Sequence, residues 1–367
     1  MSAITAFAAE GQNTQTIAYI GTDNLGNNNI IQLLWENGNW SQFDVLALLF
    51  QEHGGTPPPP RRGSPLTGYT FDAQNTFYLV YIDTDNNVQI LKGHGSDWTV
   101  ESPKSAPPAA SNSALAGYAW ESNKSQHVIY VDSTNHLREL YADWNSPPNS
   151  WFFNELTKAS TPQSGSPLAG YAFENQATEH IIYIAQDNSI HELLYDGANW
   201  SDNNLTDIVK ATQRAPGSAL AAYVCEFENT QHVIYAGNDD NVHEIYWSRG
   251  WSPNNKTNLT SKTGAVNPIG NSGLAGYSFE AERTEHVIQI GSDGGIQELY
   301  YSGGEWKTNN LSNAAGSGAT APGNGSPLVG YVFTNQQTQH VIYMDIFNRA
   351  HELYWAENAW HPGEVST

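Results

Sequence analysis

Basic residues are scarce in this chain. Only 15 of its 367 residues are Lys or Arg, against 37 Asp and Glu, and charged residues of all kinds make up 14%. A formal charge of -22 excludes a surface built to hold nucleic-acid phosphates or anionic lipid, and it disfavours an anionic ligand. Cysteine is nearly absent: Cys225 stands alone, so there is no internal disulfide framework. Long hydrophobic runs are missing, and nothing approaches the ~18 apolar residues of a membrane-spanning helix. No membrane insertion is expected. The first residues, "MSAITAFAAEGQ", have neither a basic region nor a long apolar stretch, and a repeated pattern begins near Ala3. A classical secretory signal is therefore not expected, and a soluble protein released or exported by a non-classical route is. Helical periodicity is also lacking.

Aromatic residues are abundant instead, at 12% with 12 Trp and 19 Tyr. They recur in order. The stretch "SPLAGYAFENQATEHIIYIAQDNSIHELLYDGANW" (Ser166 to Trp200) returns as "SGLAGYSFEAERTEHVIQIGSDGGIQELYYSGGEW" and as "SPLVGYVFTNQQTQHVIYMDIFNRAHELYWAENAW". Aligned on the tyrosine and the histidine nine residues later, five full copies carry Tyr118/His127, Tyr171/His180, Tyr223/His232, Tyr277/His286 and Tyr331/His340. Twelve residues after each histidine stands Glu139, Glu192, Glu244, Glu298 or Glu352. Two degenerate copies come first. One has Tyr69, Tyr78 and Ile90 at these places, and the other has Phe7, Thr16 and Gln32. A tryptophan closes every copy: Trp40, Trp98, Trp151, Trp200, Trp251, Trp306 and Trp360.

Each copy holds short runs rich in β-branched and aromatic residues, such as "LAGYAFE", "HIIYIA" and "IHELLY". Asp85-Asn86, Asp187-Asn188, Asp239-Asp240 and Asp293-Gly294 are expected to be two-residue hairpin turns. A fourth short strand follows the tryptophan. Four antiparallel strands per repeat, seven times, predict an all-β fold, a seven-bladed β-propeller. The chain reads as one propeller over 1–367, with repeats at approximately 1–50, 63–104, 112–158, 165–207, 217–260, 271–313 and 325–367. By this phase each blade is contiguous in sequence, and blade seven packs on blade one without lending a strand.

The recurring "SPLAGY…HVIY…ELY…W" pattern resembles the seven-bladed propeller lectins of Photorhabdus, and the resemblance covers essentially the whole chain. It implies a non-enzymatic, multivalent carbohydrate-binding protein with sites between blades. The partners it implies are glycans carrying L-fucose, with D-galactose or O-methylated sugars as variants, and the role it implies is recognition of host surfaces.

Candidate binding residues are the repeated ones. Trp98, Trp151, Trp200, Trp251, Trp306 and Trp360 fall after polar loops, where a partly exposed indole can stack on the C–H face of a sugar. Glu139, Glu192, Glu244, Glu298 and Glu352 can accept sugar hydroxyls or fix blade register. His127, His180, His232, His286 and His340, and Tyr118, Tyr171, Tyr223, Tyr277 and Tyr331, are equally open to packing or contact roles. With two-residue turns, Glu192 would lie opposite Tyr183 on one face, and His180 opposite Tyr195 on the other. No metal site and no cofactor are expected, since no second ligand stands at metal spacing from a histidine. The repeated acids leave no unique pair for catalysis, so an enzyme is not expected. A protein-interaction scaffold and, after it, a propeller glycoside hydrolase are the rival readings. Clefts bounded by two full copies should bind best: three–four, four–five, five–six and six–seven. Cys225 replaces an aromatic found in the other copies, and it is open to burial or to an intermolecular disulfide. A homo-oligomer is possible on the same ground.

Overall fold

Strand-forming runs separated by Gly, Asn, Asp and Pro fold here as seven four-stranded antiparallel sheets, each made of consecutive strands. The computed structural model describes all residues except 1–2, 23–25, 56, 104, 145–149, 271, 364 and 366–367. Blade four is representative, with strands Leu168–Phe173, Thr178–Ile184, Ile190–Tyr195 and Trp200–Asn204. The first strands of the blades are Ile4–Ala9, Leu66–Phe71, Leu115–Trp120, Leu168–Phe173, Leu220–Cys225, Leu274–Phe279 and Leu328–Phe333. Each touches the first strands of both neighbouring blades, the first blade meeting the seventh. These strands therefore ring the axis, and the molecule is a closed seven-bladed β-propeller.

The core lies between the blades, not within them. Seven apolar clusters each combine one face of a blade with the facing side of the next; one joins Ile181, Tyr183 and Leu193 to Ile129, Val131 and Leu137. The glycine of "LAGY" serves this approach. A Cβ on Gly170 would come within 2.4 Å of the Tyr118 ring of the preceding blade. The serine of "SPL" ties the entry of the first strand to the end of the second. Ser166 Oγ accepts the Ile184 amide at 2.8 Å, and Ser326 Oγ accepts the Met344 amide at 2.8 Å.

At one mouth of the ring, acids clasp blade to blade. Glu121 accepts the amides of Asp72 and Ala73 at 2.7 and 3.0 Å, and Glu174, Glu226 and Glu280 repeat the contact around the ring. Glu10 does the same to Thr334 and Asn335, so the seam between blades seven and one closes like the other interfaces.

Two expectations about local structure are corrected. In blades two to seven the hairpins between second and third strands have three-residue loops. In blade four the Asn188 amide donates to Ala185 O, the Ala185 amide donates to Ser189 O, and Asn188 is left-handed at φ 69°. This is a type I turn with a bulge. Four short helices also follow fourth strands: Val45–His53, Leu205–Val209, Leu259–Thr263 and Leu311–Ala314. Asp44, Asn204, Asn258 and Asn310 cap them through their side chains. Helices this short have no periodicity to read. The Asn-Leu-Thr and Asn-Leu-Ser triplets at Asn204 and Asn310 are thus helix starts.

Candidate functional site

The extra loop residue moves the strand register by one, and a one-residue shift changes which side chains share a face. Glu192 pairs with Ile182, and His180 pairs with Leu194. The histidine and glutamate expected on opposite faces are therefore together. His180 Nδ1 meets Glu192 Oε1 at 2.9 Å, and the same bond is 2.8 Å in His127–Glu139, His232–Glu244, His286–Glu298 and His340–Glu352. On its other side each imidazole Nε2 meets a hydroxyl, from Ser125, Thr178, Thr230, Thr284 or Thr338, at 2.7 to 2.8 Å. The tyrosine of "LAGY" stacks on the histidine, with centroids 4.9 to 5.2 Å apart. Tyr118, Tyr171, Tyr223, Tyr277 and Tyr331 are all buried.

That face looks onto the next blade, which supplies the residue before its own histidine and its aromatics. Tyr171 donates to Gln231 Oε1 at 2.7 Å, Tyr277 to Gln339 at 3.1 Å, and Tyr331 to Gln15 at 2.7 Å. Tyr223 donates to Glu285 at 2.9 Å, and Tyr118 to Glu179. Above this floor stands an aromatic pair: Tyr195 with Trp200 at 5.3 Å, Tyr301 with Trp306 at 5.7 Å, and Trp355 with Trp360 at 5.9 Å. Trp251 reaches back to donate its indole N–H to Glu192 Oε2 at 2.9 Å. Each cleft thus takes His and Glu from one blade and Trp from the next.

A fifth cleft, between blades seven and one, has the same parts. Blade one lacks His and Glu but supplies Trp35 and Trp40, which face His340 and Glu352 of blade seven. They line a cavity of about 690 Å³ together with Gln15, Thr338 and Tyr354. Clefts one–two and two–three lack the His and Glu and keep only the tryptophan, Trp98 or Trp151. In cleft one–two, Gly93 replaces the aromatic, and Phe77 fills its space, edge-on to Trp98 at 5.2 Å. Trp98 is consequently 1% exposed, and Trp151, edge-on to Tyr78, is 9% exposed. The expectation of partly exposed indoles fails for both because neighbouring aromatics cover them. Trp360 is also buried, at 5%. Trp40, Trp200, Trp251 and Trp306 remain partly exposed.

The residue before the histidine was not singled out from sequence, since "QH" and "EH" look interchangeable there. In space they differ. In clefts three–four and five–six, His127, Glu139 and Glu179, and His232, Glu244 and Glu285, bring all their donor atoms within 4.8 Å. These are two groupings of metal-capable side chains that spacing along the chain could not reveal, because each draws on two blades. Here the groups bond one another. Burial raises the Glu179 pKa, its neighbour Glu139 adding to the effect, and burial pushes Glu285 up to about 7. Burial opposes the charged forms of His127 and His232, but the surrounding carboxylates outweigh it and raise both. Glu139 is lowered: burial works against its charge, and the hydrogen bond from His127 prevails.

Cys225 is fully buried, with its thiol pushed up to about 12 by burial. A buried protonated thiol has no path to another chain.

Solved structures share this architecture. Its structural neighbours include several lectins. BP39L lectin from Burkholderia pseudomallei is 16% identical with a TM-score of 0.66, over 100% of this chain and 99% of that one. AofleA from Arthrobotrys oligospora is 15% identical with a TM-score of 0.61, over 84% and 86%. The Aleuria aurantia lectin, described as a six-bladed β-propeller with a novel fucose recognition mode, is 16% identical with a TM-score of 0.53, over 99% and 95%. At these identities the likeness is one of fold. No protein-family model and no curated protein matches the chain. Among the described residues no helix is long and apolar enough to cross a membrane.

Proposed function

We propose that the protein is a multivalent lectin that takes a neutral monosaccharide, L-fucose foremost, in the five clefts three–four, four–five, five–six, six–seven and seven–one. The cavity between blades seven and one carries this reading. It sets two partly exposed indoles beside a Glu–His–Thr chain of hydrogen-bonding groups. The indoles suit a sugar's C–H face and the methyl group of fucose, and the polar chain suits its hydroxyls. Lectins with this fold, among them SapL1 in complex with α-methyl fucoside, support the same reading. D-Galactose and O-methylated sugars offer similar apolar faces and are the variants to try. The Photorhabdus lectins remain the proposed relatives, with recognition of fucosylated host surfaces the proposed role.

The geometry disfavours a glycoside hydrolase. A hydrolase sets two carboxyls about 5 to 10 Å apart, flanking the scissile bond. Here Glu139 and Glu179 both meet His127 Nδ1 at the cleft floor, at 2.8 and 3.3 Å, with their oxygens within 4.8 Å of each other, which leaves no room for an anomeric carbon between them. A glycan array followed by crystals soaked in α-methyl-L-fucoside tests the proposal. Sugar against Trp35 and Trp40 is the expected result. A blank array, with sugar absent from all five clefts, would overturn it.

A further inference from the structure

We infer that Glu179 and Glu285 split the five clefts into two classes: clefts three–four and five–six take up a proton when a neutral sugar closes over them, and the other three do not. The inference rests on the reading of the clefts as sugar sites and names a property that separates them.

The two classes differ at one atom position. All five floors hold the stacked Tyr and His, the Glu bonded to that His, and an acceptor for the Tyr hydroxyl. In three clefts the acceptor is the carboxamide of Gln231, Gln339 or Gln15. In two it is the carboxyl of Glu179 or Glu285. These carboxyls are as buried as the amides, all at 2 to 3% exposure. His127 Nδ1 lies 3.3 Å from Glu179 Oε1, and His232 Nε2 lies 3.2 Å from Glu285 Oε2.

The charged and titratable surroundings are acidic. Facing Glu179 from blade three are Tyr118, His127, Glu139 and, near the imidazole, Asp143. On its own blade, the Asp202–His191 pair lies farther along the same face. Facing Glu285 from blade five are Tyr223, His232, Glu244 and Glu228. Tyr301 flanks it on its own blade. In each cluster one imidazolium can balance one carboxylate. A second carboxylate has no cation left to offset it.

A sugar that covers the floor displaces water and lowers the local dielectric. That penalises whichever form of the cluster carries net charge. The protonated carboxyl leaves the cluster neutral, so sugar and proton favour each other. The amide floors carry nothing that titrates at this position. Binding should therefore weaken as pH rises past about 7 in cleft five–six and about 8 in cleft three–four, by roughly tenfold for each unit by which sugar raises the carboxyl pKa.

Calorimetry with α-methyl-L-fucoside in buffers of different ionisation enthalpy reads this directly. The expected result near pH 9, at saturating sugar, is uptake of up to two protons per chain. Soaked crystals should show five filled clefts at pH 6 and preferential filling of the three amide clefts at pH 9. The double variant Glu179→Gln, Glu285→Gln, which copies the floor of the other clefts, should abolish the extra uptake and equalise all five at pH 9. The histidine is common to all clefts, so uptake that survives in this variant would assign the proton to the imidazoles and overturn the inference. Equal filling of five clefts at both pH values without uptake would also overturn it while leaving the lectin reading standing. Sugar in none of the clefts would remove both.

Discussion

Glu192 is the residue on which one cleft converges. One carboxylate oxygen meets His180 at 2.9 Å, and the other accepts from Asn203 and from Trp251, both at 2.9 Å. Glu192→Ala would leave three donors, the fully buried His180 among them, without their partner and should cost about 2–4 kcal/mol of stability in denaturant titrations. Glu192→Gln, which keeps an acceptor, should cost less. Glu285 bears on pH. Its folded pKa of about 7 lies above the ordinary 4.5, so the folded protein holds this proton where the unfolded chain has released it. Stability from this group is complete below about pH 4.5 and declines as pH rises to about 7. Glu285→Gln removes that decline. The variant should gain on the native protein by about 1–3 kcal/mol between pH 5 and pH 8, measured as unfolding free energy at each pH; parallel curves would refute it. The repeated Glu and His were legible as marks in the sequence. Their partnership was not, because it depends on a register set by one loop residue.

At the scale of the element, the hairpins show why that residue was hard to read. "Asp-Asn" suits a two-residue turn and equally the last two places of a three-residue loop. The residue before it, Gln186 in blade four, has no preference that decides between them. The left-handed residue is the common feature: Asn86, Asn135, Asn188, Asp240, Gly294 and Asn348 all have φ between 59° and 79°. Asn348 tests its cost, with φ at 59°. Asn348→Ala should lose ~1 kcal/mol, and Asn348→Gly should be neutral or slightly stabilising, as judged by chemical denaturation. Strand existence and blade phase were plain from β-branched runs. The last three helices were not, since four or five residues with an Asn cap look like the end of a strand.

For the whole molecule, seven repeats specify the ring, and they do not specify which half of a site each repeat contributes. The offset of His and Glu against the next blade's Trp explains why blade one, degenerate by its own motif, completes a cleft, and why Trp151 faces Tyr78 and Ile90 instead of a His–Glu pair. It also alters the mutants that matter. Trp200→Ala should remove one site and leave agglutination of fucosylated cells largely intact, because remaining sites on a rigid ring still bind together. Alanine at Trp40, Trp200, Trp251, Trp306 and Trp360 together should abolish agglutination in a protein that keeps its β-sheet circular dichroism. A folded quintuple variant that agglutinates normally would return these indoles to a packing role.

Because every cleft is shared, no blade owns a binding site. In the proposed role a sugar finds nothing complete on a single repeat, and in the cleft between blades seven and one recognition and ring closure are one equilibrium. The seam shows this most clearly: the bond from Tyr331 to Gln15 joins residues 316 positions apart, and the cleft above it exists only when both ends of the chain have met. A ligand at about 100 times its Kd adds about 2.7 kcal/mol to the state that binds it. On the proposed lectin reading a sugar seated there is a keystone, and a glycan-coated surface would select and hold those molecules whose circle is complete.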